Sequence, residues 1–428
     1  MTAPSKPWLT IIGISNEDPP PLNSQAQSAL KSAHLLIGSK RQLALIPLNL
    51  SPKALREQWP SPLAPRIEEL KQQKPKGTVI IATGDPLCWG IGETFTGGSH
   101  VSDAANNDIT LIPAPSIISL VANQMHWPVT EIESLSLCSQ PLACLSQMLT
   151  PHKKICVLSA TNKDPQKVAE HLQSKGYGPS KISILQDLGT AKETRIDTTA
   201  HDLAERKERS QENPDTISNL NCLAIQLLAA PTIPPLTTNP GLRDDAFTHD
   251  GQLTKQHIRA LTLMALRPTA HELLWDIGAG NGSISIEWAR HHPSTKAIAI
   301  EPNQKRAANI KTNAEALGVP DLTIIEKTAP DCLNELKAPD AIFIGGGITY
   351  PGLLDTAIER LKPNGRLVAN TVTLEGETTL INAQQQHSGT LMRFTIEQTT
   401  KLGKFKGWQA ERPIVQWVYQ KPINDEPS

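Results

Sequence analysis

The 428-residue sequence has almost no net charge: 41 lysines and arginines stand against 42 aspartates and glutamates, a formal balance of −1. No global field draws such a chain to nucleic acid or to an anionic membrane, so any anion it binds must be met by a local group of cations. Paired cysteines are also missing. Cys88, Cys138, Cys144, Cys156, Cys222 and Cys332 form no Cys-x-x-Cys pair and no even framework, which argues against a zinc site or a disulfide scaffold and points to thiols kept in a reducing compartment. Nor does any segment approach the roughly 18 apolar residues that span a bilayer, and MTAPSKPWLTIIG at the start carries no long apolar run after its lysine. A cytoplasmic protein without metal, nucleic acid or membrane as partner is expected.

What the sequence does contain is alternation. WLTIIGI (8–14), TVIIAT (78–83) and ITLIPA (109–114) read as buried strands, and SIISLVANQM (116–125) has helical spacing. KICVLS (154–159), a helix around Val168 to Leu172, KISILQDL (181–188) and LNCLAIQLL (220–228) form a second set, so the first half reads as two α/β lobes. A Pro-, Thr- and Asn-rich stretch without periodicity follows. The expected domains are therefore residues 1–230, a linker over 231–240, and residues 241–428. Beyond the linker, LLWDIG, KAIAIE, LTIIE, AIFIGG and RLVANTV alternate with helical patterns, which predicts a parallel, doubly wound sheet with right-handed crossovers. The tail differs: 390–400 and 414–420 read as two strands joined by a loop, an antiparallel pair closing the sheet edge.

The sharpest motif is Asp276-Ile277-Gly278-Ala279-Gly280-Asn281-Gly282, between an apolar strand and a helix. Its glycines allow a tight turn and close approach of a ligand at the strand ends, where α/β folds bind cofactors. The nucleotide-phosphate version is spaced G-x-G-x-x-G; here the spacing is G-x-G-x-G with an acid two residues ahead. That acid would repel a pyrophosphate but suits the ammonium and sulfonium of S-adenosylmethionine. Glu301 ends the next strand, 25 positions after Asp276, where a carboxylate can accept hydrogen bonds from both ribose hydroxyls. Gly278, Gly280, Asn281, Gly282 and Ala329 complete the expected cofactor set. A further strand runs from Asp340 into Gly345-Gly346-Gly347, placing Gly346 where the transferred methyl group would lie.

Longer stretches carry a resemblance. Asp245-Ala246-Phe247, Leu253-Thr254-Lys255 with Arg259, LWDIGAGNGSISIEWAR (274–290), PDAIFIGGG (339–347) and GRLVANTVTLE (365–375) resemble the decarboxylating precorrin-6Y methyltransferases of corrin synthesis. The first half resembles tetrapyrrole methylases through IIGI (11–14), Thr83-Gly84-Asp85-Pro86, Ile112-Pro113-Ala114-Pro115-Ser116 and Asp187-Leu188-Gly189. Two motifs depart from that pattern: Gly13-Ile14-Ser15-Asn16-Glu17-Asp18 is poor in glycine, and Cys138-Ser139-Gln140 stands where relatives commonly have His-Gly-Arg.

The resemblance implies a two-lobed tetrapyrrole-methylase domain followed by a class I Rossmann-like methyltransferase domain. It implies methylation of carbons 5 and 15 of a reduced tetrapyrrole and loss of carbon dioxide from the acetate on carbon 12. Gly84, Asp85, Ser116 and Ile117 would line a second S-adenosylmethionine site. The substrate's carboxylates would need cations, with Lys255 and Arg259 on the first turns of a helix capped by Thr254, and Lys401, Lys404 and Lys406 as further candidates. Thr371 and Thr373 are placed to touch the acetate, and a homo-oligomer is expected by analogy. Two alternatives stand beside this reading: an NAD-dependent oxidoreductase with a regulatory N-terminal module, and a methyltransferase whose N-terminal half is a noncatalytic scaffold.

Overall fold

A computed structural model describes residues 7–97, 108–206, 217–231 and 236–423. The chain forms two compact units, Met1–Gln140 with Thr150–Pro234, and Pro141–Leu149 with Pro235–Ser428. Residues 141–149 lie inside the first domain as drawn from the sequence, yet they cluster with the second unit, where the Gln147 side chain donates to the Gly318 carbonyl. Of the expected linker, residues 232–235 lie outside the described residues. Among the described residues no helix is long and apolar enough to cross a membrane.

The first unit holds two five-stranded sheets. β1 (Leu9–Ile14), β2 (Leu35–Gly38), β3 (Leu55–Gln58), β4 (Thr78–Thr83) and β5 (Ile109–Ile112) run parallel in the order β3-β2-β4-β1-β5. β1 and β4 are apolar nearly throughout and are buried on both faces, as central parallel strands require. β6 (Ile132–Ser136), β7 (Lys154–Leu158), β8 (Lys181–Gln186), β9 (Thr194–Thr199) and β10 (Asn221–Gln226) form the second sheet, β6-β7-β10-β8-β9, mostly antiparallel.

The second unit is built on a seven-stranded sheet. Its strands are β11 (Leu273–Ile277), β12 (Lys296–Ile300), β13 (Thr323–Ile325), β14 (Ala341–Ile344), β15 (Arg366–Thr371), β16 (Thr390–Phe394) and β19 (Ile414–Gln420). The order is β13-β12-β11-β14-β15-β19-β16, with β19 antiparallel to both of its neighbours. The winding reverses at β11, which pairs with β12 on one side and β14 on the other, and a crevice opens at such a switch point beyond the strand ends.

The tail departs from the sequence expectation. Residues 390–400 are two strands: β16 stops at Phe394, and β17 (Glu397–Leu402) pairs with β18 (Phe405–Ala410) as a separate hairpin between β16 and β19. The hairpin sequence EQTTKL–FKGWQA is almost wholly exposed, so it lacks the one-sided apolar alternation that would have revealed it.

Candidate active site

The glycine loop leaves β11 and enters the helix Ser283–His291. Gly278 has φ +70°, and a Cβ there would stand 2.9 Å from the backbone nitrogen of Gly346, so the loop and the turn after β14 pass too closely for any side chain between them. Glu301, just past β12, is buried; its carboxylate accepts from the backbone N–H of Gly280 at 2.8 Å and of Asn303 at 3.0 Å. A carboxylate can accept about four hydrogen bonds, so two amides leave capacity for a ligand. These groups border a cavity of about 950 Å³, whose lining includes Gly278, Gly280, Glu301, Ala329, Gly346 and Lys255. That is the upper end of the roughly 300–1,000 Å³ of small-molecule sites.

Asp276 does not line this cavity. Alternation along β11 puts it on the face of Leu274, which packs against Ile284 and Trp288 of the following helix. One carboxylate oxygen accepts from the backbone N–H of Ser285 at 3.0 Å and from its hydroxyl, and the other is buried without a partner. The acid thus secures the first turn of the helix instead of reaching a cationic ligand. Burial lifts its carboxyl from 3.8 to about 6; the Ser285 bonds oppose that and the charge of Glu301 adds to it. The folded state therefore holds this proton more tightly than the unfolded chain. The stability it contributes is complete below about pH 4 and is lost as pH rises through about 6. Asp276→Asn, which cannot ionise, should melt progressively higher relative to the parent as pH is raised from 4.5 to 8, by at most about 3 kcal/mol in the ligand-free protein. Parallel stability profiles would show that Asp276 does not titrate in this range.

A strap, residues 250–255, crosses the loop. Asn281 donates to Asp250 at 2.9 Å and to the Gln252 carbonyl, and accepts from Asn309; Asp250 also takes the Arg306 guanidinium at 2.9 Å. These two donors hold the Asp250 carboxyl well below the usual carboxylate range. Lys255 ends the strap as the N-cap of the helix Gln256–Leu266. Its half-exposed ammonium lies 3.8 Å from Asp244. Thr254, expected to cap this helix, instead offers its carbonyl to Arg259.

In the first unit, the ends of β1 and β4 converge equally closely. A Cβ on Gly13 would lie 1.9 Å from the Gly84 carbonyl oxygen, and Gly84 has φ +68°. Asp85 accepts from the Leu87 N–H at 2.8 Å, forming the turn. Ser116 caps the helix Ile117–Met125 by accepting from the Ser119 N–H. The Gly84 carbonyl also meets the Ala114 N–H at 3.4 Å, so the expected N-terminal site residues share one sheet edge.

Residues 9–204 match the family model described as tetrapyrrole (corrin/porphyrin) methylases, and residues 245–421 match the precorrin methyltransferase domain. A precorrin-6Y C(5,15)-methyltransferase [decarboxylating] of Sinorhizobium sp is 38% identical over 97% of this chain and 97% of its own. The chain belongs to this family. A Mycobacterium tuberculosis relative of the same name is 36% identical over 96% of this chain and all of its own. The cobalt-precorrin-6B C(15)-methyltransferase (decarboxylating) of Salmonella typhimurium is 32% identical, covering 43% of this chain and 97% of its own. The NAD-dependent oxidoreductase alternative finds no support among these matches.

Within this decarboxylating methyltransferase, several residues singled out from the sequence stand away from the cavity. Arg259 is fully buried. Its guanidinium is consumed by Glu287, Asp244 at 3.2 Å and the carbonyls of Thr254 and Leu242, and it lies over the Phe247 ring. It cannot meet a substrate; it ties residues 242–254 to two helices. Thr373 caps the helix Leu374–His387 by accepting from the Gly376 N–H at 3.1 Å, and the cavity wall is formed by Asn370, Thr371 and Val372 instead. Gly282 has φ +82° and packs on Ile310, while Asn281 works through the strap. Lys401, Lys404 and Lys406 sit on the hairpin away from the cavity lining. Sequence reasoning missed Gln398, Thr400, Gln409 and Arg412, which line the cavity from the base of the hairpin. Only recognition of the Leu402-Gly403-Lys404 turn, with Gly403 at φ +61°, could have found them.

Proposed function

We propose that this methyltransferase uses S-adenosylmethionine to methylate carbons 5 and 15 of a precorrin of the 6Y/6B type and to remove carbon dioxide from the acetate on carbon 12. The observation that carries the reading is the joining of Glu301, the Gly278–Gly280 loop and the Gly345–Gly347 turn around one cavity at the sheet's switch point. The donor set fits the cofactor: Glu301 keeps lone pairs for a ribose diol, and the positive-φ glycines let an extended ligand lie against the backbone. Bound there, S-adenosylmethionine supplies an activated methyl group on a sulfonium.

The chain's own residues have little acid or base work to do. The strap and the Gly346 turn hold the reacting carbon in line, and such positioning is worth roughly 7–11 kcal/mol. Lys255 and Arg412, which both line the cavity, offer charge to the macrocycle's carboxylates. The conjugated ring serves as the electron sink for decarboxylation, and the pocket walls exclude water while a proton reaches the new carbon. We assign methylation at carbon 15 and decarboxylation to the C-terminal unit and methylation at carbon 5 to the N-terminal unit. In support, a relative named for carbon-15 methylation and decarboxylation matches this chain over 43% of its length while using 97% of its own.

Glu301→Ala should weaken S-adenosylmethionine binding at one of two sites by about ten- to a hundredfold in titration calorimetry, the loss of one charge-assisted contact. Glu301→Gln, which keeps an acceptor for the Gly280 amide, should recover part of it. Unchanged affinity in a folded Glu301→Ala protein would remove Glu301 from the cofactor site.

A further inference from the structure

The glycine-poor loop after β1 has a partner that family membership does not supply. Asn16 occupies it, and its side-chain carbonyl accepts from the guanidinium of Arg41. The same guanidinium donates to Thr83 Oγ1 at 3.0 Å, at the end of β4 and next to Gly84. Gln42 also donates to Thr83 Oγ1 at 3.0 Å, and the Asn16 amide donates to the Leu188 carbonyl at 2.9 Å, which ties this edge to the second sheet's Asp187-Leu188-Gly189 turn. Arg41 is thus fixed at the strand ends by neutral oxygens alone.

Arg56 and Arg290 are also held by neutral oxygens alone, but both are less exposed than Arg41 and bond mainly to backbone carbonyls. Arg66, Arg306 and Arg366 each meet a carboxylate within 2.5–2.9 Å. Among the described residues no carboxylate lies within ion-pair distance of Arg41. Crowding by its neighbours holds its pKa below the ordinary arginine value, with Asp187 opposing from a distance. Arg41 is exposed, and Asn16 and Thr83 take one N–H from each terminal nitrogen, which leaves further N–H groups of the planar fork for an acceptor. A partly desolvated cation held in place without a counterion is a receptor for an anion from outside.

We infer that Arg41 is the carboxylate receptor of the N-terminal active site, anchored by Asn16 and Thr83 beside the Gly84–Asp85 turn. The inference rests on the function proposed above. Two molecules there would carry a carboxylate, the macrocycle with its acidic rim and the methionine end of S-adenosylmethionine, and both would dock by the same paired N–H···O geometry.

The test uses the full chain with Arg41→Met and Arg41→Lys. Methyl transfer to a metal-free reduced precorrin is counted by mass spectrometry, and S-adenosylmethionine binding is measured by calorimetry. If the substrate is the source, Arg41→Met raises KM for one of the two methyl additions by about ten- to a hundredfold and leaves cofactor affinity intact. Lysine then restores only part, because it keeps the charge and loses the fork. If the cofactor is the source, one of the two cofactor sites weakens by a similar factor. Normal KM and normal cofactor affinity in both variants would overturn the assignment. A parent protein that adds no methyl group at all would instead defeat the proposed function, while the calorimetric arm would still report on Arg41.

Discussion

Gly278→Val should lower S-adenosylmethionine affinity at the C-terminal site, and methyl transfer from it, by more than about a hundredfold. Two separate penalties act at this position. The φ of +70° costs a β-branched residue about 1–2 kcal/mol on its own. The added Cβ would also lie 2.9 Å from the Gly346 nitrogen and 3.1 Å from its Cα, so two backbone segments must part, and both border the cavity. Equilibrium binding to the purified variant measures the effect. A folded Gly278→Val protein that binds cofactor normally at both sites would show that the ligand does not use this loop.

The second large effect is on stability. Arg259→Met should destabilise the C-terminal unit by about 3–5 kcal/mol, the usual cost of removing one member of a buried ion pair. Glu287 would keep the N–H groups of Gly241 and Leu242 but lose its cation, and the carbonyls of Thr254 and Leu242 would lose their donor. Denaturant unfolding of Arg259→Met, Glu287→Gln and the double variant resolves the coupling. The double variant should be more stable than the two losses summed. Strict additivity would mean that the pair is not a unit.

The contrast between these two residues shows what sequence can carry. A glycine loop announces its place because its spacing is local: strand, turn and helix follow one another within residues 273–291, and the acid at the next strand end is fixed by the same winding. The regular strands were equally legible, since burial on both faces of a parallel sheet writes continuous apolar runs such as TVIIAT and KAIAI. Side-chain direction was not. Asp276 and Arg259 are polar residues in conspicuous motifs, and polarity alone does not say whether a group faces a ligand or a helix end. Arg259 meets Glu287, 28 positions on, a pairing that no local pattern encodes. The β17–β18 hairpin was hidden for the opposite reason: its residues are exposed, and exposed strands carry no apolar period.

The most direct test of the divided chemistry is the mass of the tetrapyrrole after reaction with methyl-labelled S-adenosylmethionine, for the parent protein and for chains in which one glycine edge is blocked. The parent should add two labelled methyl groups and release carbon dioxide. Gly84→Val, blocked where a Cβ would stand 3.1 Å from the Pro115 carbonyl oxygen, should add one methyl group and still release carbon dioxide. Gly278→Val should add one and retain the carboxylate. A Gly84→Val protein that adds a single methyl group without losing carbon dioxide, or a Gly278→Val protein that loses it, would contradict the assignment of decarboxylation to the C-terminal unit.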